Sequence, residues 1–268
     1  MNLKINIERQ LSLLLMEINS NNKIIASGGS IMSKEFYINQ NGEYVIENYQ
    51  QKKNFSSFLS GIAGKFGIPL WAFYVNRGQA VAAFGTKNKD NPIMEFYPAN
   101  KSYQNTDLKG FRTFIKFKDR DKNKNENFYE PFRHLNDHIS TKMIFNEHRL
   151  TIQERNEELG LKTKVTYYIM PNEDFAALVR RLEVKNISDS ELELEILDGM
   201  PILIPYGIDN ESLKEISQTI SAWAAVYLFE EKTPFYRLKA SAEDEAQVSK
   251  MKAGNFYISF IEGENELL

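Results

Sequence analysis

Residues Leu178 to Ile196 read LVRRLEVKNISDSELELEI, and apolar and charged side chains alternate along both halves of this stretch. The apolar positions are Leu178, Leu182, Val184, Leu192, Leu194 and Ile196, and the charged positions between them are Arg181, Glu183, Lys185, Glu191, Glu193 and Glu195. A period of two is typical of a strand with one buried face. Because a buried row of Glu would be very costly, the charged face must be solvated. The polar segment Asn186–Ser190 predicts the turn of a β-hairpin.

Similar strand patterns recur through most of the chain. One face of a strand is formed by Phe111, Thr113, Ile115 and Phe117 against Arg112, Lys116 and Lys118, and the pattern repeats at Leu161, Val165, Tyr167 and Ile169. Further predicted strands are Tyr44–Asn48, Leu70–Val75, Ala80–Phe84, Ile93–Tyr97, Ser221–Phe229, Phe235–Ala240 and Phe256–Phe260. The intervals between them are mostly too short for helical crossovers. The sequence therefore predicts an all-β fold, an antiparallel β-sandwich with one or two short helices.

The short helices are predicted at two places. One should begin at Asp209 or Asn210 as N-cap and carry Leu213, Ile216 and Ile220 on one side. The other is a helix or extension over residues 1–22, where Leu11, Leu14, Leu15 and Ile18 have helical spacing. Between the strands, the mixed charges of 116–130 predict a solvated hairpin tip. With no internal repeat and no clear boundary, residues 1–268 are expected to form a single β-sandwich domain.

Composition narrows the functional classes. The formal net charge is −3, so no global basic field would attract a nucleic acid. The chain has no Cys, which excludes disulfides and thiolate chemistry and fits a reducing compartment. The apolar run within 1–20 is shorter than the core of a signal peptide, and no stretch approaches the length of a membrane span. We therefore expect a cytoplasmic protein without a nucleic-acid or membrane partner.

Two short motifs have weak chemical signals. His134 and His138 have the i, i+4 spacing of helical metal ligands, but the Glu of the zinc-protease motif is missing and the motif adjoins a polar loop, so solvated histidines are the better interpretation. Gly28-Gly29 and the segment Gly61–Gly64 lack the Gly-Lys-Ser/Thr ending of a phosphate-binding loop, so tight turns are favoured. We predict no metal site and no catalytic residue in this chain.

The densest cluster of distinctive residues lies in 55–79. Trp71, Asn76, Arg77 and Gln79 combine an aromatic ring with hydrogen-bonding groups beside a glycine, which suits a surface that meets a sugar. These four are the candidate substrate-binding residues, and we expect them in one patch at a loop tip. The alternative, of equal weight, is a turn in which Arg77 is paired inside the sandwich.

A series of ordered motifs resembles a known family. These motifs are Pro69-Leu-Trp-Ala-Phe-Tyr-Val-Asn-Arg-Gly-Gln79, Phe84-Gly85, Lys89-Asp90, Ile93-Met-Glu-Phe96, Pro98-Ala99, Gly110-Phe-Arg-Thr-Phe-Ile115, Leu197-Asp-Gly199, Ile204-Pro-Tyr-Gly207, Ala222-Trp223 and Gly254-Asn-Phe-Tyr257. Together they resemble the N-terminal region of glycoside hydrolase family 94, the proteins akin to cellobiose phosphorylase, and especially the long members similar to 1,2-β-oligoglucan phosphorylases. The resemblance runs from about Tyr44 to Phe260. At Ser60 the long members usually have proline.

The resemblance implies a galactose mutarotase-like super-sandwich that precedes linker helices and a catalytic (α/α)6 barrel. In such enzymes inorganic phosphate, the co-substrate, attacks the anomeric carbon of a β-linked gluco-oligosaccharide with inversion and releases α-glucose 1-phosphate, while an Asp of the barrel protonates the leaving oxygen. No other cofactor is implied. Such proteins continue for several hundred residues beyond the position of Leu268. This chain is therefore expected to be a non-catalytic, inactive N-terminal part of a larger phosphorylase.

Two other functions remain open at this stage. The chain could be a free-standing carbohydrate-binding module with a sugar-facing surface around Trp71 and Arg77. It could also be a small sandwich enzyme such as a sugar mutarotase, which would need a His and a carboxylate converging on the sugar. A sandwich separated from its barrel would expose an apolar docking face, so a homodimer or a self-associating monomer is expected.

Overall fold

The computed structural model of the chain describes residues 35–119, 127–199, 201–241, 246–247, 249, 251–264 and 266–268. The helix predicted over residues 1–22, the pair Gly28-Gly29 and the hairpin tip over 120–126 lie outside the described residues. The base of that hairpin is described, and Lys116 lies opposite Phe128 in an antiparallel pair. Among the described residues, no helix is both long enough and apolar enough to cross a membrane.

Strands dominate the described part of the chain. In chain order they are β1 (Phe36–Ile38), β2 (Tyr44–Glu47), β3 (Ser56–Ala63), β4 (Ile68–Val75), β5 (Val81–Thr86), β6 (Pro92–Met94), β7 (Arg112–Asp119), β8 (Asn127–Tyr129), β9 (Ile139–Phe145), β10 (Arg149–Asn156), β11 (Leu161–Ile169), β12 (Leu178–Asn186), β13 (Leu192–Gly199), β14 (Ala224–Tyr227), β15 (Phe235–Leu238) and β16 (Asn255–Phe256). The helical elements are a 3-10 turn at Tyr49–Gln51, α1 (Ala99–Lys109) and α2 (Asn210–Trp223). The pairings between these strands are antiparallel. The predicted all-β class with short helices is confirmed.

The strands form a sandwich whose core lies between its two largest sheets. The six-stranded sheet has the order β1-β2-β9-β10-β11-β12, and the four-stranded sheet has the order β3-β4-β5-β6. Ile152 and Val165 of the first sheet share one buried cluster with Ala72 and Tyr74 of the second. Two three-stranded sheets, β13-β7-β8 and β14-β15-β16, complete the described structure.

Strand β4 is apolar at nearly every position because the four-stranded sheet is covered on both faces. Ala72 and Tyr74 face the core shared with the six-stranded sheet. Trp71 and Phe73 point the other way, into a second buried cluster against which Tyr103 of α1 packs. A strand buried on both faces is expected to be continuously apolar rather than alternating. Helix α1 therefore forms an outer layer over this sheet.

The hairpin predicted over 178–196 is wrong in its pairing, although both strands are present. Strand β12 pairs with β11 in the six-stranded sheet, whereas β13 pairs with β7 in a different sheet. Glu193 lies opposite Lys118 and Glu195 opposite Lys116, so the acidic face of β13 meets a basic face. Such opposite-charge pairs stabilise neighbouring strands. Alternation shows which side chains share a face, but it does not show which strand lies beside them.

The helices depart from prediction in two ways. Helix α1 was not predicted, because its buried residues are Ser102 and Thr106 and it has no apolar stripe. Helix α2 begins as predicted after Asp209, whose carboxylate accepts the backbone N–H of Glu211 and Ser212. The predicted apolar side of α2 is interrupted, because Ile216 has non-helical backbone angles (φ −124°, ψ 29°) and is partly exposed.

Three predicted strands also had wrong boundaries. Helix α2 continues to Trp223, so the strand predicted from Ser221 begins only at Ala224 and ends at Tyr227. The strands predicted at Ile93–Tyr97 and Phe256–Phe260 end at Met94 and Phe256, respectively. Aromatic residues continue in the sequence beyond these ends, although the backbone has already left the sheet. The aromatic pattern therefore extends further than the strand.

The pairing of β13 can be tested by cross-linking, because the chain has no Cys of its own. Lys116 and Glu195 face each other across β7 and β13, with Nζ and Oε1 3.4 Å apart. The double variant Lys116→Cys/Glu195→Cys should form an intramolecular disulfide on mild oxidation, since directly opposed positions are within disulfide reach. Mass spectrometry of a non-reduced digest would detect the linked peptides.

The matched control is Arg181→Cys/Glu195→Cys, which would be linked only if β12 and β13 formed the hairpin. It should remain reduced under the same conditions. Efficient linkage of the control pair, or none in the Lys116 pair, would contradict the observed pairing.

Candidate functional site

The turn after β4 contains three of the four predicted site residues. Asn76, Arg77 and Gln79 lie in the connection between β4 and β5, where Gly78 has a positive φ of 48°. Gly is suited to this conformation, and a Cβ on Gly78 would collide with the carboxylate of Asp107. The turn is thus packed tightly against α1, and its shape depends on the glycine.

Asn76 is buried and fully hydrogen-bonded. Its Nδ2 donates to the carbonyl oxygens of Tyr49, Lys52 and Lys53 at 3.0, 3.2 and 3.1 Å. Its Oδ1 accepts the backbone N–H of Phe55 at 3.0 Å. A side-chain amide that satisfies four backbone groups fixes the path of the chain before β3. Asn76 is also 0% exposed, so a ligand does not reach its side chain.

Gln79 is buried in a polar network that joins several strands. Its Nε2 donates to Thr113 Oγ1 at 3.0 Å, and its Oε1 accepts from Arg180 Nη2 at 2.6 Å. Arg180 also forms an ion pair with Asp198, and Thr113 Oγ1 donates to Asp198 Oδ1 at 2.7 Å. The Tyr167 hydroxyl donates to the Gln79 carbonyl oxygen at 2.8 Å. Gln79 is thus committed to the interior, like Asn76.

The groups of this network determine one another's protonation states. Burial acts to lower the pKa of Arg180, but the Tyr167 hydroxyl and Asp198 outweigh it and the pKa is raised. Burial, opposed by Arg180, raises the pKa of Tyr167 to about 12. Arg180 is therefore charged and Tyr167 protonated at neutral pH.

Trp71 lies in the middle of β4 and not in the turn, so the predicted loop-tip patch of four residues is not formed. Asn76 is five positions beyond Trp71, which is roughly 16 Å at the usual rise of a strand. Its ring packs edge-on against Phe58 and Phe96, with centroids 6.1 and 5.7 Å away. Its indole N–H donates to the Asn88 carbonyl oxygen at 3.1 Å. Trp71 is a core residue under α1.

Arg77 is the most exposed of the four predicted residues. Its guanidinium donates to the carbonyl oxygen of Asn76 at 2.6 Å and to Oδ1 of Asn54 at 2.5 Å. Arg77 is therefore paired with the adjacent loop at the surface and not inside the sandwich, and part of its side chain still meets solvent. The structure brings Asn76, Arg77 and Gln79 together but turns two of them inward.

A buried carboxylic acid, which the sequence did not single out, lies on β10. Glu154 is 1% exposed, accepts the backbone N–H of Phe132 at 2.5 Å and accepts the hydroxyl of Tyr129. Burial raises its pKa to about 7, and these two hydrogen bonds only partly oppose the rise. The sequence of the stretch Arg149–Asn156 did not predict the burial of Glu154. Its face of the strand is covered by the loop that contains Phe132, which is distant from Glu154 in the sequence.

A cleft of about 200 Å³ lies where α1, β6, α2 and β15 meet. Its apolar lining comes from Ala82, Met94, Ile202, Leu203, Ile204, Pro205, Leu213, Ile220 and Tyr236, and its polar side chains are Glu95, Tyr97, Ser102, Asn105, Thr106 and Lys109. The Tyr97 hydroxyl donates to Glu95 Oε2 at 2.5 Å, and Lys109 Nζ lies 5.5 Å from the centre of the Tyr97 ring. Burial, with the help of Glu95, raises the pKa of Tyr97 to about 12. Sequence reasoning missed this cleft because four distant segments build it.

The histidine motif does not form a ligand pair. His134 and His138 are both exposed and lie outside helices, which agrees with the interpretation as solvated histidines. No group of three or more potential ligands (His, Cys, Asp or Glu) that could hold a metal ion occurs among the residues that the structure describes.

The described residues form an all-β protein of packed antiparallel sheets, with a small cleft where α1, β6, α2 and β15 meet. Comparison with models of known protein families finds no match for the chain, and comparison with curated proteins finds no significant match.

The different roles of Asn76 and Arg77 can be separated by stability measurements. Asn76→Ala should lower the free energy of unfolding by about 2–4 kcal/mol, because it removes a buried amide that is hydrogen-bonded to four backbone groups. Arg77→Ala should lower it by about 1 kcal/mol or less, since its side chain is partly solvated. Urea unfolding followed by tryptophan fluorescence would measure both. Equal losses in the two variants would contradict the assignment of Asn76 to the core.

Glu154 predicts a pH dependence of stability. Its folded pKa of about 7 is above the unfolded value of 4.5, so the folded state retains a proton that the unfolded state loses. The protein should therefore lose stability as pH rises from about 4.5 to 7, by about 3 kcal/mol from this group alone. Glu154→Gln, which remains neutral, should lack this loss, and the variant should gain stability relative to the parent over that window. Parallel pH profiles of the two proteins would contradict the assignment.

Proposed function

We propose that this chain is the non-catalytic N-terminal domain of an inverting β-glucoside or β-glucan phosphorylase, which supports a catalytic (α/α)6 barrel and shapes its site. The ordered motifs between Tyr44 and Phe260 support this proposal, as does the all-β fold that the resemblance implies. In the proposed reaction, inorganic phosphate displaces the leaving sugar of a β-linked gluco-oligosaccharide and forms α-glucose 1-phosphate. The enzyme is cytoplasmic in this proposal.

The observation that carries the proposal is an apolar surface beside the β14-β15-β16 sheet. We call it the β14 surface, and its members are Val226, Leu228, Phe229, Ile258, Phe260 and Ile261, all of which are exposed. Phe229 is 71% exposed and Phe260 64% exposed. Large apolar patches of this kind mark protein–protein contacts more often than free surface.

Hydrogen bonds hold the two halves of the β14 surface together. The backbone N–H of Lys232 donates to the Phe229 carbonyl oxygen at 3.0 Å, and its Nζ reaches the Leu267 carbonyl oxygen at 2.8 Å. Leu267 in turn forms a β-bridge with Phe260. The turn after β14 and the segment 257–268 therefore lie at the same end of the sheet, as one surface that a partner domain can cover.

A barrel and its linker helices are the partner that this surface suits under the proposal. Burial of two largely exposed Phe rings would contribute several kcal/mol of apolar transfer free energy, at about 1.5–3 kcal/mol for each large side chain. The same surface accounts for the proposed homodimer, because in the absence of a barrel two copies could cover each other.

A free-standing carbohydrate-binding module is the second candidate. The cleft below α1 favours it, because that cleft combines an apolar lining with several polar side chains and needs no second domain. In such a module the sugar would bind in the cleft, and contact with Arg77 would not be needed.

Co-expression tests the proposal. The chain should co-purify with an (α/α)6-barrel polypeptide from the same organism, and the pair should release glucose 1-phosphate from β-linked gluco-oligosaccharides in a phosphate-dependent way. The chain alone should release none. Phe229→Asp should reduce co-purification and activity at least tenfold, since it places a charge in the apolar contact.

The matched control is Phe128→Asp, which alters a phenylalanine of similar exposure (78% against 71% for Phe229) on a different sheet. It should leave association unchanged. Phosphate-dependent turnover by the chain alone would overturn the proposal, as would the lack of any association with or activation of the barrel.

A further inference from the structure

The cleft of about 200 Å³ has a wall that is held in place by hydrogen bonds on two sides, one from the backbone and one from a side chain. The wall segment 202–206 is held to the four-stranded sheet by the N–H of Ile204, which donates to the Ile93 carbonyl oxygen at 2.9 Å. It is held to the other side by Asn255, whose Nδ2 donates to the Ile204 carbonyl oxygen at 2.9 Å. The walls of the cleft are therefore ordered before a ligand binds, so their rearrangement costs little binding free energy.

We call the buried apolar side chains of the cleft its floor, and its more exposed polar side chains its rim. Met94, Ile204, Leu213 and Ile220 are buried apolar side chains that line it. The hydroxyls of Ser102 and Thr106 are already committed, since they donate to the carbonyl oxygens of Tyr97 and Ser102 at 3.1 and 2.6 Å. The groups that remain at the rim are on Glu95, Asn105 and Lys109.

These three rim groups have unused hydrogen-bonding capacity. Within the described part of the chain, Asn105 has no side-chain hydrogen bond, although it is half-buried at the cleft. Glu95 uses one carboxylate oxygen for the Tyr97 hydroxyl. Lys109 contacts the Tyr97 ring and forms no ion pair with another described residue. Asn105 and Lys109 are four positions apart on α1, so they share one helix face.

We infer that the cleft binds a single neutral pyranose unit, the terminal residue of a gluco-oligosaccharide. This inference rests on the proposed function for its choice of a sugar, and the cleft supplies the rest. A volume of about 200 Å³ suits one sugar ring, and the open side of the cleft leaves room for the rest of the oligosaccharide outside it. The carbon face of the ring packs on the apolar floor, and its hydroxyls meet the carboxylate, the amide and the ammonium.

Charge distinguishes a neutral sugar from a sugar phosphate. Glu95 and Lys109 cancel at the rim, so the cleft has no net positive charge to attract a phosphate. The free carboxylate oxygen of Glu95 accepts a sugar hydroxyl but repels a phosphate oxygen. The site is thus a docking point for a neutral sugar chain.

Methyl NMR on the whole chain tests the inference directly, because Met94, Ile204 and Leu213 report from the floor. D-glucose should shift their resonances with a Kd of about 1 mM, typical of a contact of this size. Glucose 1-phosphate and L-leucine should shift them much less. Asn105→Ala should raise the Kd for glucose about fivefold, because one hydrogen-bonding group is lost. Asn105→Trp should fill the cleft and abolish the shifts.

Gln104→Ala is the matched control, since it removes an exposed amide from the next position of α1, and it should leave the Kd unchanged. Glu95→Gln should improve the binding of glucose 1-phosphate relative to glucose, and this readout does not depend on the Asn105 variants. Absence of glucose-induced shifts at a hundred times the expected Kd would overturn the inference, and so would stronger shifts with L-leucine or an equal effect of Gln104→Ala.

The two proposals can fail separately. Sugar binding that depends on Asn105, with no association with a barrel, would retain the cleft and remove the phosphorylase assignment. Association and phosphorolysis without binding of glucose by the chain would retain the assignment and remove the cleft.

Discussion

The buried guanidinium of Arg180 connects the sheets of the sandwich. Its side chain is only 8% exposed, and its partners come from the turn after β4, from β7 and from β13. A charge in this position is tolerated because Gln79, Thr113 and Asp198 each contribute an acceptor to its two terminal nitrogens. Removing Asp198 or Gln79 would leave a buried group unpaired, so the network permits one arrangement of these strands. The crossing of the chain from β12 to β13, between different sheets, is part of that arrangement.

This dependence explains which parts of the fold could be predicted. The period of two located most strands, since apolar burial on one face is encoded by residues near in sequence. The partner of each strand could not be found in this way. Strand β13 pairs with β7, where acidic side chains of β13 lie opposite basic side chains of β7. An ion pair between Asp198 and Arg180 also joins β13 to β12. Both interactions depend on residues far away in the chain. Tertiary context likewise determines α1, whose sequence is polar and whose role is to cover the aromatic side of β4.

The same reasoning applies to the candidate site. Asn76, Arg77 and Gln79 attracted attention because polar groups beside aromatics and a glycine suit a sugar surface. A tight turn inside a sandwich also requires a glycine and buried amides. The side chains of Asn76 and Gln79 use their hydrogen-bonding groups within the protein interior. The buried acid Glu154 had no comparable signal, because its environment is created by a loop that returns over β10. Residue type thus predicted that these positions have constrained roles, but it could not separate structural roles from ligand contacts.

A comparison of Asn76 with Asn105 shows how a structural amide differs from one that is available to a ligand. The amide of Asn76 satisfies four backbone groups, and its surroundings are complete without a ligand. The amide of Asn105 lines a preformed cleft and has no side-chain hydrogen bond within the described structure. A half-buried amide in that state has lost part of its hydration without gaining a protein partner, so a hydroxyl-rich ligand can stabilise it more than it can stabilise Asn76. Unused hydrogen-bonding capacity inside a shaped cavity is therefore the better guide to a binding site in this fold, and it places the candidate sugar contacts below α1 and away from the turn that the sequence favoured.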